Sequence, residues 1–281
     1  MTLRECIADA EQKGVAIGHF NVSDTEGFRA VVEGAKELTS ISQTKVPVII
    51  GVSEGESEFI GLAEIVSLVK IARGNGLEIF INADHVYSAE KAKAAVDAGV
   101  DSVIIDGAAK SFEENVAMTK EVADYARGKC LVEGELGFIG QSSKVIEEIP
   151  SGVAKTNPED AKKFISQTGI DLFAPSVGNI HGIVKGGEPK LDIELIKNLK
   201  STLNVPLVLH GASGNSDTDL REAIKAGISI IHINTELRLA YKEGVEEGIR
   251  SGETAPYKFM KEAVEEMKKV VIARLKLFNN L

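Results

Sequence analysis

Leu77-Glu78-Ile79-Phe80-Ile81-Asn82-Ala83-Asp84-His85 opens with large apolar and β-branched residues and stops on an acid followed directly by an imidazole. The run reads as a strand, and alternation along a strand points Asp84 and His85 to different sides of one spot. A carboxylate and an imidazole delivered together at a strand's end suit metal-assisted acid–base chemistry. They equally suit an ordinary loop in which Asp84 caps a helix starting near Ser88. The neighbouring segments separate the two.

The same grammar recurs along the chain: a short β-type run, a turn, an amphipathic helix. The β-type runs are Val15–Phe20, Val46–Val52, Leu77–Asn82, Asp101–Ile105, Cys130–Glu135, Leu172–Ser176, Val205–Leu209 and Ser229–Ile233. Helical stretches between them are Asp24–Leu38, Glu58–Arg73, Ala89–Ala98, Phe112–Arg127, Pro158–Thr168, Ile193–Ser201 and Asp217–Ala226. Gly74, Gly99, Gly128, Gly169 and Gly227 follow helices as C-terminal stops, and Pro158 behind Asn157 marks a helix start. Alternating strands and helices imply right-handed βαβ units on a parallel sheet. Eight such units predict an α/β fold of the (β/α)8 TIM-barrel type, with one domain spanning residues 1–281. A doubly wound open sheet is the alternative, but no Gly-x-Gly-x-x-Gly follows the first strand. Gly137–Thr156 and Val177–Pro189 read as long loops, which in a compact domain are functional or mobile. Pro256–Phe278 reads as an additional C-terminal helix. Its apolar Met260, Val264, Met267, Val270, Val271, Leu275 and Leu277 suit either a subunit contact or a cover for the barrel's outside.

Composition narrows the function classes. With 43% hydrophobic and 26% charged residues the chain has ample material for a core, and its formal charge is −10. No Lys/Arg cluster provides an electrostatic footprint for nucleic acid. No apolar run reaches about 18 residues and no signal-peptide segment stands at Met1–Ala10, so neither a membrane nor export is expected. Cys6 and Cys130 have no metal-ligand spacing and form no disulfide framework, which fits a reducing cytoplasm.

The five histidines, His19, His85, His181, His210 and His232, all lie within or just beyond the C-terminal half of an expected strand. That is the end of a barrel where chemistry is housed. His19 reads best as an inward-facing barrel residue. His85, His181 and His210 each border a turn. Converging on one rim, they would make a zinc-like site with an open position. The turns Val177-Gly178-Asn179-Ile180-His181-Gly182-Ile183-Val184-Lys185 and Leu209-His210-Gly211-Ala212-Ser213-Gly214 expose backbone N–H groups that an anion can approach, with Ser213 and Lys185 adding a hydroxyl and a charge.

Six segments in order resemble the class II, metal-dependent ketose-bisphosphate aldolase family. They are Ala83-Asp84-His85; Ile105-Asp106-Gly107 with Ser111 to Asn115; Val132-Glu133-Gly134-Glu135-Leu136-Gly137; Gly178 to Gly182; Pro206 to Ser213; and Ile233-Asn234-Thr235-Glu236-Leu237. The resemblance implies cytoplasmic carbohydrate metabolism, glycolysis foremost. The reaction would be reversible cleavage of a ketose 1,6-bisphosphate, most simply fructose 1,6-bisphosphate, to dihydroxyacetone phosphate and glyceraldehyde 3-phosphate. It implies that His85, His181 and His210 hold Zn2+ or another divalent ion, with Glu135 and Asp106 beside it or at an alternate position, and Asp84 as the acid/base. Gly182, Lys185, Gly211, Ser213, Asn234 and Thr235 would bind the phosphate of the dihydroxyacetone-phosphate half, while Asn21, Ser53 and His232 line the pocket. A monovalent cation and a homodimer or homotetramer are further expectations. A tagatose-bisphosphate or other phosphosugar aldolase is the nearest alternative, and a non-catalytic metal- and phosphosugar-binding regulator the alternative of another class.

Departures from the family pattern are specific. His232 stands where the family has Asn, and Ile230 where it often has Lys. The loop after the Glu-Leu-Gly motif reads Phe138 to Glu148, with Glu147 or Glu148 as the acid expected to shuttle a proton. Ser40–Lys45 looks longer than usual, and no arginine obviously matches the one that grips the second phosphate.

Overall fold

The computed structural model describes residues 1–137, 139, 144–148, 154–185 and 187–281. Among them the strands are β1 (Ile17–Asn21), β2 (Val48–Ser53), β3 (Ile79–Val86), β4 (Ser102–Ile105), β5 (Leu131–Leu136), β6 (Val145–Ile146), β7 (Leu172–Pro175), β8 (Ile183–Val184), β9 (Leu207–Leu209) and β10 (Ile228–Ile233). The helices are α1 (Leu3–Lys13), α2 (Thr25–Ser42), α3 (Glu54–Ile60), α4 (Leu62–Gly74), α5 (Ala89–Ala98), α6 (Phe112–Ala126), α7 (Pro158–Thr168), α8 (Ile193–Thr202), α9 (Asp217–Ala226), α10 (Thr235–Arg250), α11 (Pro256–Phe259) and α12 (Lys261–Phe278). Eight parallel strands close in the order β1-β10-β9-β7-β5-β4-β3-β2, while β6 and β8 pair as a separate two-stranded sheet. The expected (β/α)8 barrel is the observed fold.

Strand parity positions the site. Ile17, Ile49, Phe80, Leu131, Leu172, Val208 and Ile230 form one apolar layer inside the barrel, sealed from below by Leu3, Cys6, Ile7 and Ala10 of α1. Two residues further along those seven strands the inward side chain is polar or small: His19, Gly51, Asn82, Glu133, Ala174, His210 and His232. Two further again come Asn21, Ser53, Asp84, Glu135, Ser176 and Asn234. A period of two thus builds the barrel as an apolar floor, a buried polar storey and a functional rim. The outer core lies between the strands and the surrounding helices, with Phe20, Phe164, Phe173 and Phe278 fully buried in it.

Helix ends follow local chemistry. Thr2, Ser53 and Ser111 form reciprocal capping boxes with Glu5, Glu56 and Glu114. Gly99, Gly169 and Gly227 close α5, α7 and α9 in the left-handed conformation.

Several expectations need correction. Ser88, not Asp84, caps α5, and β3 continues through Val86. Gly61 (φ 89°) splits the expected Glu58–Arg73 helix into α3 and α4, and α3 begins at Glu54. Gly74 falls inside α4, Arg127 rather than Gly128 caps α6, and α2, expected to end at Leu38, continues to Ser42, into the Ser40–Lys45 region that looks longer than usual. The long loops are not wholly irregular, since they contribute β6 and β8. Two helices escaped the periodicity reading: α1, and α10 directly after the last strand. The C-terminal stretch is interrupted at Met260, and α12 lays Val264, Met267, Val271, Leu275 and Leu277 against its own chain, chiefly α2 and α10. Its apolar face is therefore a cover for the barrel. No helix among the described residues is long and apolar enough to cross a membrane.

Candidate active site

At the C-terminal rim of the barrel a cavity of about 240 Å³ is lined by side chains from most of the strand ends. Its metal-competent heart is His85, His181 and His210, whose ligand nitrogens all lie within 4.8 Å of one another. His85 comes from β3, His181 from the segment between β7 and β8, and His210 from the residue after β9. Nε2 of His85 is 3.2 Å from Nδ1 of His210. Their other ring nitrogens are engaged: Nδ1 of His85 with Asp106 Oδ2 at 2.9 Å, and Nε2 of His210 with Glu133 Oε1 at 2.7 Å. Each imidazole is thus oriented by a carboxylate behind it.

Asp84 and His85 were expected on opposite sides of the strand, yet both line the cavity. The β3–β4 register slips between Ala83 and Val86, and His85 adopts φ 49°. The bulge breaks the period of two and re-aims His85 onto the same face as Asp84. A positive φ at a residue other than glycine is sterically costly, and such conformations cluster at functional sites.

Electrostatics follow from burial and crowding. Burial pushes the Asp84 carboxyl up, but His85, His19 and His210, together with a 2.8 Å hydrogen bond from Asn21 Nδ2, hold it well below the usual carboxylate range. Burial works against a charge on His85, but Asp84, Asp106 and Glu135 raise it to about 10. Burial and the neighbouring His85 lower His210 to about 3. Burial, then Asp84, raises Glu133 to about 8, and burial with Asp106 lifts Glu135 well above its ordinary value. With no ion present a proton on His85 therefore occupies the short contact to His210. Two nitrogens on one tetrahedral zinc at about 2.0–2.1 Å stand about 3.3 Å apart. The observed pair has that spacing, so the donor set fits a divalent ion in the proton's place.

The glycine turns lie beside the histidines. Gly211 has φ 62°, and a Cβ there would stand 2.5 Å from the Ile180 carbonyl oxygen, so glycine is what lets the turns after β7 and β9 touch. Asn179 fastens them, accepting from Val177 N and donating to the His210 carbonyl. Ser213 Oγ accepts from the backbone N–H of Asn234 and Glu236, at the start of α10. Asn234, the N-cap residue, makes no side-chain cap bond of its own, and it lines the cavity with Thr235, so the helix's positive dipole end borders that space.

Of the sequence-predicted residues, Asn21, Ser53, Asp84, His85, Asp106, His181, Gly182, His210, Gly211, Ser213, His232, Asn234 and Thr235 come together around this cavity. Glu135 lies behind it, grouped with His85 and Asp106. Lys185 does not line it: the side chain is exposed and pairs with Glu147 at 2.6 Å beside the β6–β8 pair. Of the loop Phe138 to Glu148, residues 138 and 140–143 fall outside the described residues. Glu133, Glu56 and Arg238 escaped the sequence reading. Glu133 had a signal, a charge in a strand two residues before Glu135, and Glu56 completes the Ser-x-x-Glu capping pattern after β2. Arg238, whose Nη2 meets Glu56 Oε1 at 2.7 Å, had none. It is the one Lys or Arg among the described residues lining the cavity.

Comparison with known proteins agrees with this geometry. The family described as fructose-bisphosphate aldolase class-II matches residues 1–281. A fructose-bisphosphate aldolase of Staphylococcus aureus is 35% identical over 286 residues, covering 99% of this chain and 96% of the relative. One from Geobacillus stearothermophilus is 34% identical, covering 100% of this chain and 97% of its own. Among solved structures, the YdjI aldolase of Escherichia coli K12 superposes with a TM-score of 0.84 at 33% identity, covering 98% of this chain and 96% of that one. The fructose-bisphosphate aldolase of Campylobacter jejuni shares the fold, with a TM-score of 0.78 at 24% identity over 99% of this chain and 94% of that one. The chain belongs to the class II fructose-bisphosphate aldolase family, a group of metal-dependent carbon–carbon lyases.

Proposed function

We propose that residues 1–281 act as one aldolase domain. It would cleave and re-form a ketose 1,6-bisphosphate, most simply fructose 1,6-bisphosphate, giving dihydroxyacetone phosphate and glyceraldehyde 3-phosphate. The observation that carries this reading is the 3.2 Å approach of His85 Nε2 to His210 Nδ1, with Asp84 and His181 beside it.

In this reading His85, His181 and His210 hold a divalent ion, zinc first, though three imidazoles also accept cobalt, iron or manganese. Once bound, such an ion supplies Lewis acidity toward the substrate's ketone and hydroxyl oxygens, worth several kcal/mol of charge stabilisation. Asp106 and Glu133 orient two of the ligands. Asp84, ionised and held by Asn21, takes the hydroxyl proton as the carbon–carbon bond breaks and returns it in condensation. Gly182, Gly211, Ser213, Asn234 and Thr235 receive the phosphate of the dihydroxyacetone-phosphate half at the start of α10. Arg238, tethered by Glu56, is the cation suited to the second phosphate, a role Lys185 cannot take from outside the cavity. A homodimer or homotetramer in the cytoplasm completes the reading.

A coupled cleavage assay on fructose and tagatose 1,6-bisphosphates tests it, with the protein chelated and then reloaded with zinc. Cleavage that depends on the added ion supports the reading, and the faster epimer at C4 names the substrate. Undiminished cleavage by fully chelated protein would rule the mechanism out.

A further inference from the structure

His19 and His232 stand directly opposite each other in the register of β1 and β10. Their rings stack face to face, with centroids 3.5 Å apart and planes within 4°. On its other side His232 leans on His210 at 3.9 Å and 34°. His232 is therefore the middle ring of three, and its orientation is set by packing on both faces. Yet it lines the cavity together with Asp84. Its Nδ1 is 3.6 Å from Asp84 Oδ1, too far for a hydrogen bond. That oxygen is buried without a hydrogen-bond partner among the described residues, while the other carboxylate oxygen accepts from Asn21. Two polar atoms 3.6 Å apart on the wall of one cavity suit a hydroxyl that touches both, because a hydroxyl can donate to one neighbour and accept from the other.

His19 does not line the cavity. It is 1% exposed, its Nε2 meets Asn82 Oδ1 at 3.2 Å, and Asn82 in turn donates to Ser102. Its ring closes on Gly51, where a Cβ would stand 2.0 Å from Cε1. The ring is wedged between that backbone and His232.

We propose that His232 is a second catalytic residue, donating from Nδ1 to the substrate hydroxyl oxygen whose proton Asp84 Oδ1 removes, and that His19 is its positioning residue. This rests on the aldolase reading above. In cleavage the hydroxyl O–H bond breaks and its proton passes to Asp84. The oxygen's electron pair forms the aldehyde C=O as the adjacent C–C bond breaks, and the electrons of that bond leave with the ketone fragment as an enediolate. His232 keeps its own proton and stays neutral throughout. The hydroxyl is thereby held by two groups, which makes its configuration part of substrate selection.

The test separates bond cleavage from proton exchange on dihydroxyacetone phosphate, a partial reaction that has no such hydroxyl. Zinc-loaded protein is assayed on whichever C4 epimer the wild type cleaves, with bound zinc measured for every variant. His232→Phe keeps a stacking ring without a donor. It is expected to lower cleavage kcat by about 10²–10³, as for loss of one preorganised donor, with dihydroxyacetone-phosphate exchange and zinc content close to wild type. His232→Gln, which retains a donor, should recover most of the loss and replaces the Phe variant if that one does not fold. His19→Ala should slow cleavage about tenfold by freeing the ring, a partial loss of the same donor's effect, with His19→Phe restoring it. Wild-type cleavage by His232→Phe overturns the proposal, and so does an equal fall in cleavage and exchange. A wild type that cleaves neither epimer and exchanges nothing sinks the aldolase reading itself.

Discussion

Nε2 of His85 and Nδ1 of His210 are 3.2 Å apart, although 125 residues of chain separate them. Asp106 and Glu133 hold the opposite ring nitrogens, and Asp84 Oδ1 stands 3.9 Å from Nε2 of His85. Removing one of the pair should leave two imidazoles that cannot enclose an ion. His210→Ala is expected to weaken zinc binding by at least about 10²-fold, more than an orienting group costs. Competition with a chromophoric chelator measures it.

The carboxylates behind the ligands should matter less, but measurably. Asp106→Asn and Glu133→Gln leave the imidazoles in place while loosening tautomer and orientation, and each is expected to cost about 10–100-fold in zinc affinity or activity. Glu133→Gln probes a second point. An ion on His210 Nδ1 places the pair's proton on Nε2 and favours ionised Glu133, reversing the upward push of burial. A variant with full affinity at both positions would remove these residues from the metal's support.

Asp84→Asn preserves the hydrogen-bonding shape but not the base. The expected result is a fall in kcat of about 10²–10⁴ with zinc retained. Steady-state kinetics beside metal analysis separates this from a loss of the site.

Metal binding should depend on pH in a definite direction. His85 is raised to about 10, so in the metal-free chain it is protonated at neutral pH, and an ion must displace that proton. Zinc affinity is expected to rise about tenfold per pH unit below that value while one proton is released. Calorimetry in buffers of different ionisation enthalpy measures the release. For stability the sign is opposite. A raised folded-state value gives stabilisation that is complete below the ordinary histidine value of 6.5 and lost as pH climbs toward 10, so this group makes the metal-free chain easier to unfold across that window.

Gly51→Ala tests the wedge under His19. A methyl 2.0 Å from Cε1 cannot be accommodated without moving the ring. Urea unfolding should show about 1–3 kcal/mol of destabilisation, typical of overpacking.

Much of this was legible in the sequence because a barrel repeats a simple rule. The β-type runs and the Gly stops of α5, α7 and α9 are local signals, and they located the rim on which Asp84, His85, His181 and His210 meet. The bulge at His85 was not legible: alternation predicts opposite faces, and only pairing with β4 forces the slip. Nor was α10, whose Gly244 and Gly248 look like helix breakers but are where its backbone packs closely on Ala263 and Phe259. Lys185 misled because charge beside glycine reads as an anion site, whereas a partner from another loop, Glu147, claims it. Arg238 was invisible for the converse reason, since its meaning depends on Glu56, 182 residues away.

His85 comes from β3, in the first third of the chain, and His181 and His210 from the segments that follow β7 and β9, with the barrel's closure between β1 and β10 joining the ends of the ring. An ion gripping all three would be a clasp across that seam. A nascent chain that has not yet extended past residue 210 lacks the last tooth of the clasp, so tight zinc uptake can serve as a report that the ring has shut. Truncated or circularly permuted versions could be ranked by that uptake alone, before any substrate is offered.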